Sequence, residues 1–77
     1  MNACEIANFS VEFGSFIREA REKKGIYQED VAKLVGISRS HYAFIEAGQR
    51  RVFLDLAINI CNTLDLDISE FIDSLQR

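Results

Sequence analysis

An all-α chain of five short helices follows from three features of the sequence. Apolar residues recur at intervals of three and four. Glycines punctuate the periodic segments at Gly25, Gly36 and Gly48, and no stretch carries a strand signal. The 77 residues contain no proline and 48% hydrophobic side chains, which suits one compact domain near the lower size limit for folding without staples.

The first helix is expected over about residues 10–24. Phe13, Phe16, Ile17 and Ala20 stand at i, i+3, i+4 and i+7, one face of a helix. Ser10 is the candidate N-cap, with Glu12 in the positively polarised first turn. Arg21, Lys23 and Lys24 suit the other end, and Gly25 the left-handed position beyond it. Residues 1–9 form an N-terminal extension with no clear pattern and are expected to fray, although Ile6 and Phe9 could pack. Residues 10–77 form the domain.

The second helix is expected over about 28–35, with Val31, Ala32, Leu34 and Val35 inward and Glu29 and Asp30 in its first turn. Tyr27 stands where a capping Ser or Thr would serve, which weakens this helix start by about 1 kcal/mol. Gly36 ends the helix and Ile37 drops into the core. Ser38 caps a third helix over about 39–47, whose inward positions are Tyr42 and Ile45, and Gly48 stops it.

A fourth helix is expected from Phe53 to Leu64. Phe53, Leu54, Leu56, Ala57, Ile58, Ile60, Cys61 and Leu64 are too many for one apolar stripe of about 100°. Such a helix needs two buried neighbours: its own core and something else. Asp67 to Glu70, "DISE", has capping-box spacing and opens a fifth helix carrying Ile68, Phe71, Ile72 and Leu75.

Composition narrows the functional classes. No apolar run is long enough for a membrane span, and no signal-peptide pattern opens the chain, so the protein is expected in the cytosol. Cys4 and Cys61 are too few and too far apart for a zinc site or a disulfide framework. Cys61, in an apolar helix, reads as a buried small hydrophobe. One histidine, no paired nucleophile and no glycine-rich phosphate loop leave no catalytic constellation and no expected cofactor or metal. The net charge of −3 is unevenly spread. Residues 18–51 hold eight bases against five acids, a balance of +3, whereas residues 52–77 hold one Arg against five acids. A basic middle can meet phosphate while acidic ends repel it.

The stretch "QEDVAKLVGISRSHYAFIEAG", Gln28 to Gly48, has the spacing of a helix-turn-helix. Two helices crossing near a right angle need a small residue at the contact, met by Ala32. They need a turn residue tolerant of positive φ, met by Gly36. Apolar groups at Val31, Val35, Ile37, Tyr42 and Ile45 would fix the crossing.

On these residues the chain resembles the phage-repressor and Cro-like (Xre-type) helix-turn-helix family of transcription regulators, whose fold is the compact five-helix lambda-repressor-like domain. The resemblance runs from Phe13 to about Ile72 through "IREAREKKG", "QEDVAKLVGISRS", "IEAGQRR" and "LDLAINICNTLDLDISEFI". It implies double-stranded DNA as partner, with helix 3 in the major groove. Arg39 would fork onto a guanine or else touch phosphate, and Ser40 and His41 are adaptable donors and acceptors beside it. Phe44 stands where the family commonly carries a polar or basic side chain. It could meet a thymine methyl, fold into the core or face a protein partner. Gln28 would hold a phosphate at the start of helix 2, and Arg50 and Arg51 would do so from the loop after helix 3. Lys24 and Lys33 suit a solvated face.

The resemblance also implies a partly buried ion pair between Arg21 and Glu46, locking helix 3 against helix 1. Small lone-domain members of the family, such as Cro-like and controller proteins, act as dimers. Here Phe53, Leu56, Ile60, Phe71 and Leu75 are the candidate homodimer contacts, with extra monomer core as the competing explanation. The sequence departs from the family at Tyr27, at the large Tyr42, and at Val52 and Phe53, which replace a frequent Pro-Ser. The expectation is a sequence-specific regulator acting as a homodimer on a near-palindromic operator with half-sites roughly 10–11 bp apart. The alternatives are a protein-interaction module that has lost DNA reading and an antitoxin-type DNA-binding partner.

Overall fold

A computed structural model describes residues 3–75, all five of whose regular elements are helices. They are α1 (Ala3–Lys24), α2 (Gln28–Val35), α3 (Arg39–Glu46), α4 (Leu54–Thr63) and α5 (Ile68–Leu75). Residues 1, 2, 76 and 77 lie outside the described residues.

The ends of α1 to α4 share one device. In each, an N–H two or three residues past the helix bonds back five residues, as Ile37 N–H does to the Ala32 carbonyl at 3.0 Å and Leu66 N–H to the Cys61 carbonyl at 2.7 Å. The pattern needs one residue in the left-handed region. Gly36 supplies it at φ 79°, and at the end of α4 a non-glycine, Asp65, supplies it at φ 58°. Ser38 Oγ accepts from His41 N–H at 3.0 Å and caps α3, whereas Tyr27 gives α2 no side-chain cap.

Several expectations are corrected by packing. α1 begins at Ala3, so Ser10 lies inside the helix and caps nothing. The Phe9 ring meets Phe71 edge-on at 5.4 Å, a tertiary contact that favours helix through the expected extension. At α5, Asp67 caps through Ser69, whose N–H and hydroxyl both donate to Oδ1, rather than through a reciprocal bond with Glu70. Leu34, expected inward, is 72% exposed. It lies roughly 100° round the helix from the centre of the face formed by Val31, Ala32 and Val35.

The core joins Phe13 and Ile17 of α1, Val31 and Ala32 of α2, Tyr42 and Ile45 of α3, Ala57, Ile60 and Cys61 of α4, with Leu64 and Phe71. Ile60 and Phe71 are therefore core residues, 0% and 3% exposed, and not the interface contacts expected of them. Phe71 is held by the rings of Phe9, Phe13 and Phe16, with centroids at 5.4, 5.4 and 5.1 Å, which pins α5 to α1. Gly14 lets α1 approach α3. A Cβ there would stand 2.4 Å from the Glu46 carbonyl oxygen and 2.6 Å from that of Ile45.

Candidate nucleic-acid interface

Packing of α3 decides what it shows to solvent. Tyr42, Ile45 and Glu46 are buried, so the opposite side of the helix faces outward. Arg39 and Ser40 are exposed on its first turn, and Phe44 is 46% exposed one turn further on. His41 is half-buried, its backbone N–H held by Ser38.

The start of α2 faces the start of α3 across a cleft of about 490 Å³, lined by Arg21, Tyr27, Gln28, Glu29 and Arg39. The cleft brings together two residues expected to touch DNA, Gln28 and Arg39. Arg50 and Arg51 are exposed in the segment between α3 and α4 and do not line it. Arg39, the Tyr27 hydroxyl and the uncapped N–H groups opening α2 offer donors to an anionic oxygen, beside one carboxylate in the lining, Glu29. Sequence reasoning missed Tyr27 here, reading it only as a poor cap. Its ring is exposed beside Arg39's cleft, and the signal was the large polar-tipped side chain where a small capping residue serves.

Arg21 is already committed. Its Nε donates to Glu46 Oε2 at 2.6 Å, Nη2 to Oε1 at 3.1 Å, and Nη1 to the Ile26 carbonyl at 2.8 Å. Gln28 Nε2 donates to the same Glu46 Oε1 at 3.0 Å. The Glu46 carboxylate thus ties the end of α3 to α1 and to the first residue of α2, while Arg21 also holds the α1–α2 turn. The Gln28 amide, expected to be free for phosphate, is anchored inward by one of its two N–H groups.

The electrostatics follow from burial. Burial by itself would raise the Glu46 carboxyl pKa, but the hydrogen bonds from Arg21 and Gln28, with the Tyr42 hydroxyl dipole close by, outweigh it and hold the group below the ordinary carboxylate range. The bond to Glu46 in turn holds the Arg21 guanidinium above its ordinary value. Tyr42 Oη is buried beside this pair, although no partner meets full hydrogen-bond geometry. Burial, then the Glu46 carboxylate, push its phenol well above the usual tyrosine range. The Cys61 thiol is pushed up to about 11, chiefly by burial.

Two short helices joined by a turn at the left-handed Gly36, with the first turn of the second helix exposed, have the arrangement of the helix-turn-helix class. The chain belongs to the helix-turn-helix family, whose model matches residues 17–71. A protein of Archaeoglobus fulgidus named an HTH-type transcriptional regulator is 39% identical over 54 residues, 70% of this chain and 77% of that protein. A Thermococcus kodakarensis protein, named for an HTH-type transcriptional regulatory role, is 38% identical over 63 residues, 82% of this chain. This chain spans 20% of that relative's length.

Among solved structures, the restriction-modification controller protein C.AhdI from Aeromonas hydrophila superposes with a TM-score of 0.77 at 37% identity, covering 84% of this chain and 94% of that one. The clp gene regulator ClgR from Corynebacterium glutamicum gives a TM-score of 0.80 over 83% of this chain and 68% of its own. At 20% identity that likeness concerns the fold. Both named relatives are described as transcriptional regulators, and no helix among the described residues is long and apolar enough to cross a membrane.

Proposed function

We propose that this protein is a sequence-specific DNA-binding transcription regulator, a repressor acting as a homodimer on a near-palindromic operator in the cytoplasm. The observation that carries the reading is the pairing of Arg39 with Gln28 across one cleft. A phosphate seated at the start of α2 would set the first turn of α3 against base edges. Arg39, Ser40, His41 and Phe44 form the base-reading set, and Gln28, Arg50 and Arg51 position the duplex, with Tyr27 added as a phosphate donor.

Dimerisation is supported by the apolar side chains that the monomer leaves outside. Phe53 is 85% exposed, Leu54 and Ile58 are exposed one turn apart on α4, and Ile72 and Leu75 are exposed on α5. Leu56 is partly buried against the core and, two residues after Leu54, lies on the opposite flank of α4, so it is not part of this exposed face. Unpaired surface of that kind suits a second copy about a twofold axis. The likeness to a restriction-modification controller protein supports a regulatory role.

Fluorescence-anisotropy titration against the gene's own upstream duplex, at two salt concentrations, tests the reading. Several phosphate contacts require binding to weaken steeply with salt, and Arg39→Ala should abolish preference over a scrambled duplex. Binding to neither duplex at low salt would instead favour a protein-interaction module.

A further inference from the structure

The outward stripe of α3 changes character halfway along. Ser40, Ala43, Phe44 and Ala47 stand at i, i+3, i+4 and i+7 and share one side of the helix, opposite the buried Tyr42, Ile45 and Glu46. Its first turn, Arg39 and Ser40, is polar. Beyond Ser40 the stripe holds Ala43, Phe44 and Ala47, none of which has a side-chain donor or acceptor. Phe44 is also absent from the core and from the ring cluster of Phe9, Phe13, Phe16 and Phe71. Neither cluster accounts for a large aromatic ring that stands 46% exposed on the outward side of α3.

Where a helix in the major groove carries no polar side chain, that part of it reads bases only by apolar contact. One natural apolar group lies on that edge of DNA: the methyl on C5 of thymine. The same methyl, on the same ring carbon, is carried by 5-methylcytosine. Resting on the DNA-binding reading above, we infer that Phe44 makes this protein a reader of pyrimidine 5-methyl groups. At one position in each half-site it accepts thymine or 5-methylcytosine and disfavours uracil or unmethylated cytosine. Arg39 and Ser40 read the neighbouring position by hydrogen bonds, so the half-site has a polar step followed by a methyl step. Methylation of a cytosine at that step would raise affinity rather than block it.

The test is selection from a random duplex library with the wild type and with Phe44→Ala, followed by single-base substitution in the selected duplex. Burying one methyl is worth about a three- to fivefold change in affinity per half-site. Wild type should select thymine at one position per half-site, lose about that factor when deoxyuridine replaces it, and tolerate 5-methylcytosine but not cytosine there. Phe44→Ala should bind the selected duplex about three- to fivefold more weakly per half-site, with an unchanged salt slope, and should lose discrimination among these bases. Phe44→Met, apolar and of similar reach, should restore part of it.

Equal binding by wild type to thymine and deoxyuridine duplexes at every position would overturn the inference and leave the DNA-binding reading standing. So would an equal methyl preference in Phe44→Ala. If neither protein selects any sequence or binds with salt dependence, the DNA-binding reading itself fails, and Phe44 belongs to a protein-contact surface.

Discussion

Glu46 accepts from Arg21 Nε at 2.6 Å, and the Glu46 side chain is 2% exposed. The end of α3 is therefore held by a charge that has left water and is compensated by one guanidinium and one amide. Burying such a pair is not in itself a large gain, but removing one partner strands the other.

Arg21→Ala should destabilise the fold by about 3–5 kcal/mol, because it leaves the Glu46 carboxylate buried beside only Gln28 and Tyr42. Gln28→Ala removes one neutral donor and should cost about 1 kcal/mol. Urea denaturation of both variants checks the order, and an Arg21→Ala cost below that of Gln28→Ala would contradict the assigned roles.

Acid should unfold the protein through the same group. The folded-state pKa of Glu46 lies below its unfolded value, so the folded state favours the ionised form. The stability this contributes is fully present above the ordinary carboxylate pKa, about 4.3, and drains away as pH falls through the lower folded value. Urea midpoints at pH 7, 4 and 3 should fall for wild type. Glu46→Gln should begin lower and fall less steeply, and parallel curves would reassign acid sensitivity to other carboxylates.

Gly14→Ala tests the approach of α1 to α3. In an isolated helix alanine is the better residue by up to about 1 kcal/mol. Here its methyl would meet two backbone carbonyl oxygens inside van der Waals distance, and backbone cannot rotate aside. The substitution should therefore destabilise, by about 1–3 kcal/mol or more, measured as a lowered thermal midpoint. Any rise in the midpoint would mean that the helices sit further apart.

Leu54→Glu places a charge on the exposed apolar side of α4 without touching the core. Sedimentation at micromolar concentration should show the wild type as a dimer and the variant as a monomer with an unchanged far-ultraviolet spectrum. DNA affinity should fall by about tenfold or more when half-sites must be bound one at a time. A wild-type monomer at every concentration would leave the α4 face without the role proposed for it.

Much of the local architecture was legible in the sequence because its causes are local. Ser38 caps α3 and Gly36 closes α2 through contacts a few residues long, so the turn between them could be placed from residue types alone. The exposure of Arg39 and Ser40 follows in the same way once Tyr42 and Ile45 are known to face inward. The inward anchoring of Gln28 did not follow, since its partner lies 18 residues away and sequence spacing carries no orientation for an amide.

Apolar periodicity in α4 and α5 set out which side chains need cover, and tertiary structure decided what covers them. Ile60 and Phe53 are both large apolar residues of one segment, yet Ile60 is sealed in the core and Phe53 stands almost wholly in solvent. Phe71 was claimed by three rings from α1, more than fifty residues earlier in the chain, and the helical start of α1 came with them. Gly14 gave no signal in the sequence because a glycine inside a helix reads as a weakness until the partner backbone is in place. Periods and caps act over one or two turns of chain, whereas the choice of which apolar face is buried is made by all five helices at once.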